Sequence, residues 1–271
     1  MTIWSCATCA IEHPDTAAPP ARCEICSDER QYVPAGGQHW TTRDELAAAG
    51  LRVVVTELEP GLHAVDTAPE LGIGQRGLLL QTPKGNLLWE PPGFLDSDGV
   101  AAVRALGGVA AISASHPHLT GSSIQWSHAF GNAPVYVSQD DQQWIRRPDP
   151  AIRLWHGALD LLDGLAMIQC GGHFAGSSVL HWARGASGRG ALLTGDTLAI
   201  GADRKSVNAM RSYVNNIPLP KRAIERILDT VSPLAFDRIY GAFGFIDSDA
   251  HAISVRSLGR YMAWLDGTLP D

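Results

Sequence analysis

The sequence predicts an α/β fold of sheets and helices, preceded by a small segment of different character. Three observations predict it. Apolar, β-branched stretches begin at about Leu51, strands alternate with helical stretches from Val100 onward, and four of the five cysteines fall within residues 1–38. A chain of 271 residues suffices for one large domain, or a mid-sized domain with a small companion. With 45% hydrophobic and 18% charged residues it supports a sizeable core and does not read as a disordered chain.

The elements follow in order. Residues 1–38 carry the cysteines, a connector Ala17-Ala18-Pro19-Pro20 and little apolar periodicity, so this segment needs a staple. Thr41 or Thr42 is placed to cap a short helix over Arg43–Ala49. Arg52–Leu58, Gly61–Asp66, Gly77–Gln81 and Asn86–Trp89 read as strands, with turns at Glu59-Pro60-Gly61 and Pro83-Lys84-Gly85-Asn86. Val100–Leu106 reads as a helix ended by Gly107-Gly108, and Val109–Ala114 as a short buried strand. Ile124–Phe130 is expected to be helical, Val135–Ser138 extended and Gln139–Ile145 helical. Leu165–Gln169, Ser177–Trp182 and Ala191–Thr194 read as strands. Pro220–Val231 is a helix, Phe236–Tyr240 a strand and Ala250–Leu265 a terminal helix.

Charge and hydropathy narrow the partners. A formal net charge of −7 without a long basic run argues against a nucleic-acid partner. No apolar stretch approaches the roughly 20 residues that cross a bilayer. The start MTIWSCATCAIEHPD lacks a basic region followed by an apolar one. The expectation is a soluble, cytoplasmic protein whose partner is a small-molecule substrate.

Cys6-x-x-Cys9 and Cys23-x-x-Cys26 are separated by thirteen residues. Each C-x-x-C turn directs two sulfurs to one point, so two turns can complete a tetrahedral four-thiolate zinc site. Two disulfides are the competing reading. A closed four-sulfur site would be structural, supplying folding energy that so short a segment lacks. Cys170, at the end of an apolar run, reads as a buried core thiol.

A second constellation is built of histidines. Ser115-His116-Pro117-His118 follows a buried strand, and two histidines one residue apart on an extended segment project to the same side. Gly171-Gly172-His173 lies in a glycine-rich turn after another strand, and Asp196 ends a third. Three imidazoles with an open fourth position form the ligand set of a catalytic zinc site.

These motifs resemble the metallo-β-lactamase superfamily, whose signature is an H-x-H-x-D-H loop, a G-H-T-x-G-S turn and an L-x-x-G-D strand end. His116-Pro117-His118, Gly172-His173-Phe174-Ala175-Gly176-Ser177 and Leu193-Thr194-Gly195-Asp196 match them in order. Phe236-Asp237-Arg238-Ile239-Tyr240-Gly241 is similar to the family's last core strand. The resemblance implies a four-layer αββα sandwich over residues 51–271, behind a zinc-ribbon-like segment at 1–38 and a linker with a short helix at 39–50. Two departures accompany it. Thr120-Gly121 stands where the family has Asp-His, and Gly241-Ala242-Phe243-Gly244 lacks the histidine often found after the last strand.

The resemblance therefore implies a mononuclear site: His116, His118 and His173 on one Zn²⁺ or similar ion, with Asp196 as ligand or orienter. The expected activity is metal-dependent hydrolysis of a small ester, thioester or lactone. Asp196 would orient the attacking water or accept its proton. Thr120 would donate a hydrogen bond, since a hydroxyl is no general base near neutral pH. A different class stays open: a non-catalytic binding protein on the same fold, with the zinc knuckle as its interaction module. His128 and His251 read as solvated or capping residues. Trp126, close in sequence to the histidine loop, is singled out as a candidate wall of a substrate pocket.

Overall fold

A computed structural model describes residues 2–269. The chain divides into two compact units, Met1–Trp155 and His156–Asp271.

The first unit is built on a seven-stranded sheet. Its order is Ile152–Trp155, Val135–Ser138, Ala111–Ser113, Gly85–Trp89, Gly77–Thr82, Leu62–Ala68 and Arg52–Glu59. The last four strands form antiparallel neighbours, as their short turns dictate. From Gly85–Trp89 the pairing becomes parallel, with Leu87, Leu88 and Trp89 opposite Ala111, Ile112 and Ser113. That register sets the carboxyl ends of these two strands side by side, so Glu90 and Ser115 leave the sheet together. The core beneath joins Leu79, Leu88, Ile112, Val103, Phe94 and Trp126. Asp96 caps the helix Ser97–Ala105, accepting from the Gly99 N–H at 2.7 Å, and its other oxygen accepts from Val53 N–H at 3.1 Å. One carboxylate thus ties the helix start to the outermost strand.

The cysteine segment belongs to this first unit and forms a small sheet of Thr2–Cys6, Glu12–Thr16 and Trp40–Thr41. Thr42, as expected, caps the helix Arg43–Ala48. Its hydroxyl accepts from Glu45 N–H at 3.2 Å, and the Glu45 carboxylate accepts from Thr42 N–H at 2.9 Å.

The second unit carries a six-stranded sheet ordered Ala158–Leu161, Leu165–Gln169, Ser178–Trp182, Ala191–Gly195, Arg238–Gly241 and Phe245–Ile246. Only Ala191–Gly195 and Arg238–Gly241 run parallel. The helix Lys221–Val231 buries Ala223, Ile224, Ile227 and Val231, an i, i+1, i+4, i+8 stripe. This stripe joins Val179, Leu192, Ile239 and Leu258, the last from the helix Ala250–Leu265. No described helix is long and apolar enough to cross a membrane.

Several elements depart from their sequence reading. Gln139–Trp144 is a 3₁₀ helix whose start is held by Ser138 Oγ accepting from Asp140 N–H. The last core strand begins at Arg238 and not at Phe236, because Asp237 N–H turns to the Gly190 carbonyl at 2.9 Å.

Candidate metal centres

The first centre is the cysteine group. Cys6–Cys9 leaves the strand Thr2–Cys6 in a tight turn closed by Ala10 N–H to the Cys6 carbonyl at 2.8 Å. Ser27 N–H to the Cys23 carbonyl at 3.0 Å closes the second turn. The four sulfurs are buried and lie within 4.8 Å of one another. The Cys6–Cys26 and Cys9–Cys23 sulfurs are 3.6 and 3.7 Å apart, and none of the four is in a disulfide. Four sulfurs about 2.3 Å from a tetrahedral zinc stand about 3.8 Å from one another, so the group fits the ion. Hydrogen bonds from Cys26 and then Cys6 hold the Cys23 thiol well below its usual range, while burial pushes Cys9 up. Gln38 links the two turns. Its amide nitrogen donates to Cys6 Sγ at 3.2 Å, and its carbonyl oxygen accepts from Cys23 N–H at 3.2 Å. Cys170 is the buried core thiol expected, pushed by burial up to about 12.

The histidine motifs and Asp196 are divided between the two units. In the first, His116 is extended, but Pro117–Leu119 form a 3₁₀ turn in place of the continuous extended segment expected. Both imidazoles are nonetheless buried, with ring centroids 5.1 Å apart. Ser115 Oγ donates to Glu90 Oε1 at 2.6 Å and lies 2.9 Å from His116 Nδ1. Because the hydroxyl proton goes to the carboxylate, the serine oxygen is left to accept from Nδ1–H. His116 then carries its lone pair on Nε2, the state a metal ligand requires. Glu90 is itself buried and sits at positive φ (56°) at the end of its strand. Neither Glu90 nor Ser115 was singled out from sequence.

The next residues explain the departure from the metallo-β-lactamase motif. Thr120 Oγ1 donates to the Pro117 carbonyl at 3.1 Å, so its hydroxyl serves the loop. Gly121 has φ +47°, and a Cβ there would collide with the Pro91 carbonyl oxygen. Its own carbonyl accepts from Glu12 N–H of the cysteine segment at 3.2 Å. No side chain fits where the family places a histidine. Gly121→His is accordingly expected to destabilise the protein by about 1–3 kcal/mol in urea denaturation and to add no metal equivalent.

In the second unit, the loop between Leu165–Gln169 and Ser178–Trp182 folds on itself. Cys170 and Gly171 N–H both reach the Ser177 carbonyl at 2.8 Å, and Phe174 N–H donates to Ser177 Oγ at 2.8 Å. Buried His173 sits inside this loop with Nδ1 3.2 Å from the Met210 carbonyl. A carbonyl only accepts, so Nδ1 carries the proton and Nε2 the lone pair. That Nε2 lies 3.9 Å from Asp196 Oδ2. Ligand atoms on one tetrahedral ion stand about 3.4 Å apart, so a separation of 3.9 Å leaves Asp196 close beside an ion that His173 would ligate. Tyr213 donates to the Asp196 backbone carbonyl at 3.0 Å, and its ring lies 5.7 Å from that of His173. Burial, and then the Asp196 charge, push its phenol well above the ordinary range.

Other sequence candidates fall outside both centres. His128 pairs with Asp149 at 2.9 Å, and His251 Nε2 lies 2.8 Å from the Ser232 carbonyl. Trp126 is a core residue and not a pocket wall. It is fully buried, stacks on Phe130, and donates to the Pro92 carbonyl at 3.2 Å. Gly241-Ala242-Phe243-Gly244 is the turn of a hairpin, with Phe243 exposed.

Comparison with known proteins agrees with this description. The chain is 41% identical to the uncharacterized protein YmaE of Bacillus subtilis (strain 168) over 272 residues, covering 99% of each. It belongs to the YmaE family. No family model matches the chain. Among solved structures, DIM-1 metallo-β-lactamase aligns with a TM-score of 0.57 at 13% identity, covering 80% of this chain and 99% of that one. VMB-1 aligns with a TM-score of 0.56 at 13% identity, over 80% and 97%. A B3 metallo-β-lactamase with an active-site glutamic acid aligns at 0.52 and 15% identity, over 82% and 92%. This member of the YmaE family therefore has the αββα metallo-β-lactamase fold.

Proposed function

We propose that His116, His118 and His173 hold one divalent ion, zinc by its donor set, with Asp196 beside it as ligand or orienter, and that the chain is a mononuclear metal-dependent hydrolase. The observation that carries the reading is the pair of fixed tautomers. Glu90 through Ser115 for His116, and the Met210 carbonyl for His173, each leave Nε2 as the ligating nitrogen. An ion with an open position supplies activation of water and stabilisation of charge on a carbonyl oxygen.

The chain's own residues do the rest. Asp196 orients the water or takes its proton, and the Tyr213 hydroxyl fixes the Asp196 main chain while doing so. Thr120-Gly121 offers no ligands for a second ion, which disfavours phosphodiester cleavage by a two-ion clamp. A small ester, thioester or lactone is the substrate class proposed, with the lactams of the metallo-β-lactamases as a further carbonyl candidate. Residues 1–38 act as a structural zinc knuckle.

The test is a panel of esters, thioesters, lactones and a β-lactam, assayed with metal-replete and chelated protein. Turnover of at least one carbonyl substrate, lost on chelation and restored by zinc, is expected. Full occupancy of the histidine site without turnover of any panel member would favour the binding-protein reading instead.

A further inference from the structure

Glu12 lies three residues past Cys9 and opens the strand Glu12–Thr16. It is 2% exposed, although a carboxylate so placed loses its hydration. What replaces the water is the loop that follows His118. Glu12 Oε1 accepts from Ile124 N–H at 2.5 Å, and Glu12 N–H donates to the Gly121 carbonyl at 3.2 Å. Its other oxygen, Oε2, accepts from Arg147 Nη1 at 2.5 Å. One residue of the cysteine segment therefore grips residues 121–124 by main chain and side chain together.

A second contact lies on the other side of the same loop. Ala10, in the left-handed conformation just after Cys9, packs so closely on Gly93 that any Cβ there would strike its carbonyl oxygen. Gly93 ends the Glu90-Pro91-Pro92 segment, and Pro92 accepts from Ser122 N–H at 3.2 Å. The C-x-x-C turn and the strand after it thus bracket both Glu90, which fixes the His116 tautomer, and the residues just after His118.

We propose that Glu12 is the positioning residue through which the cysteine segment holds the His116–His118 loop in its ligating geometry. The state of the four-thiolate site is thereby read out at the histidines. Its partners lie 109 to 135 positions away in sequence, so the contact forms only in the folded unit. The metal-binding part of this inference rests on the function proposed above, whereas the ordering of the loop does not.

The experiment uses full-length protein with zinc in the thiolate site and Co²⁺ titrated into the histidine site. It compares wild type, Glu12→Gln and the core control Val103→Ala. Glu12→Gln is expected to keep its thiolate zinc, speed amide exchange at Ile124 and Gln125 at least tenfold, and weaken Co²⁺ binding at least tenfold with altered d–d bands. Val103→Ala should leave the Co²⁺ spectrum unchanged. Should Glu12→Gln fail to fold, Arg147→Gln decides, with faster exchange at the same two amides expected. Unchanged exchange at Ile124 and Gln125 in the folded variant would overturn the proposal. Absence of Co²⁺ binding in the wild type would instead count against the histidine site, and the exchange result would still decide the role of Glu12.

Discussion

Replacing any one of His116, His118 or His173 with alanine is expected to abolish metal occupancy at the histidine site and hydrolysis together, and not to halve either. In the proposed site each imidazole supplies one bond to the same ion, and two remaining histidines would not preserve the open geometry. Effects of residues that act as a unit are not additive, so double variants should lose no more than single ones. Asp196→Asn separates binding from chemistry. It keeps the size of the side chain and removes the charge 3.9 Å from His173 Nε2. Metal should be largely retained while turnover falls by about 100-fold or more, the range for a lost acid–base group. Metal analysis of the dialysed variants beside their kcat values checks both. An Asp196→Asn protein with full metal and undiminished turnover would remove Asp196 from the chemistry.

The second large effect concerns the thiolates. Cys6→Ser with Cys9→Ser is expected to remove the thiolate-bound zinc and unfold the cysteine segment. Apparent zinc binding to such sites is worth about 10–16 kcal/mol near neutral pH, comparable to the whole stability of a typical domain. The small sheet of Thr2–Cys6, Glu12–Thr16 and Trp40–Thr41 has little else at its centre. Its buried cluster consists of the four cysteines with Ile11 and Ile25. X-ray absorption and circular dichroism of the double variant check this. A four-sulfur zinc signal persisting after both substitutions would contradict the assignment.

Much of this architecture was legible in the sequence where the signal is local. Val135–Ser138, Leu165–Gln169 and Ala250–Leu265 occupy the residues their patterns assign. The Thr42 cap and both C-x-x-C turns follow from residue types a few positions apart. Thr2–Cys6 and Glu12–Thr16 escaped because polar and metal-directed residues break their alternation, leaving no period to detect. Ile152–Trp155 escaped because it is short and two of its four residues are exposed.

The same distinction divides the sites. The histidines and Asp196 are recognisable by motif, whereas the residues that orient them are not. Ser115 to Glu90 spans 25 positions, Gln38 to Cys6 spans 32 and Glu12 to Ile124 spans 112. Glutamates and glutamines carry no pattern that foretells such partners. Gly121 is the intermediate case. Its departure from the metallo-β-lactamase motif is plain in sequence, but the cause, a positive φ against the Pro91 carbonyl, is purely three-dimensional.

The proposal that one hydrolytic ion is held by His116, His118 and His173 with Asp196 beside it is tested most directly by anomalous diffraction at the zinc edge from crystals of the metal-replete protein. Two peaks per chain are predicted, one among Cys6, Cys9, Cys23 and Cys26 and one at the three histidine Nε2 atoms. A thiolate peak alone, or a third peak about 3.5–4 Å from the histidine peak, the spacing of a dinuclear pair, would contradict it.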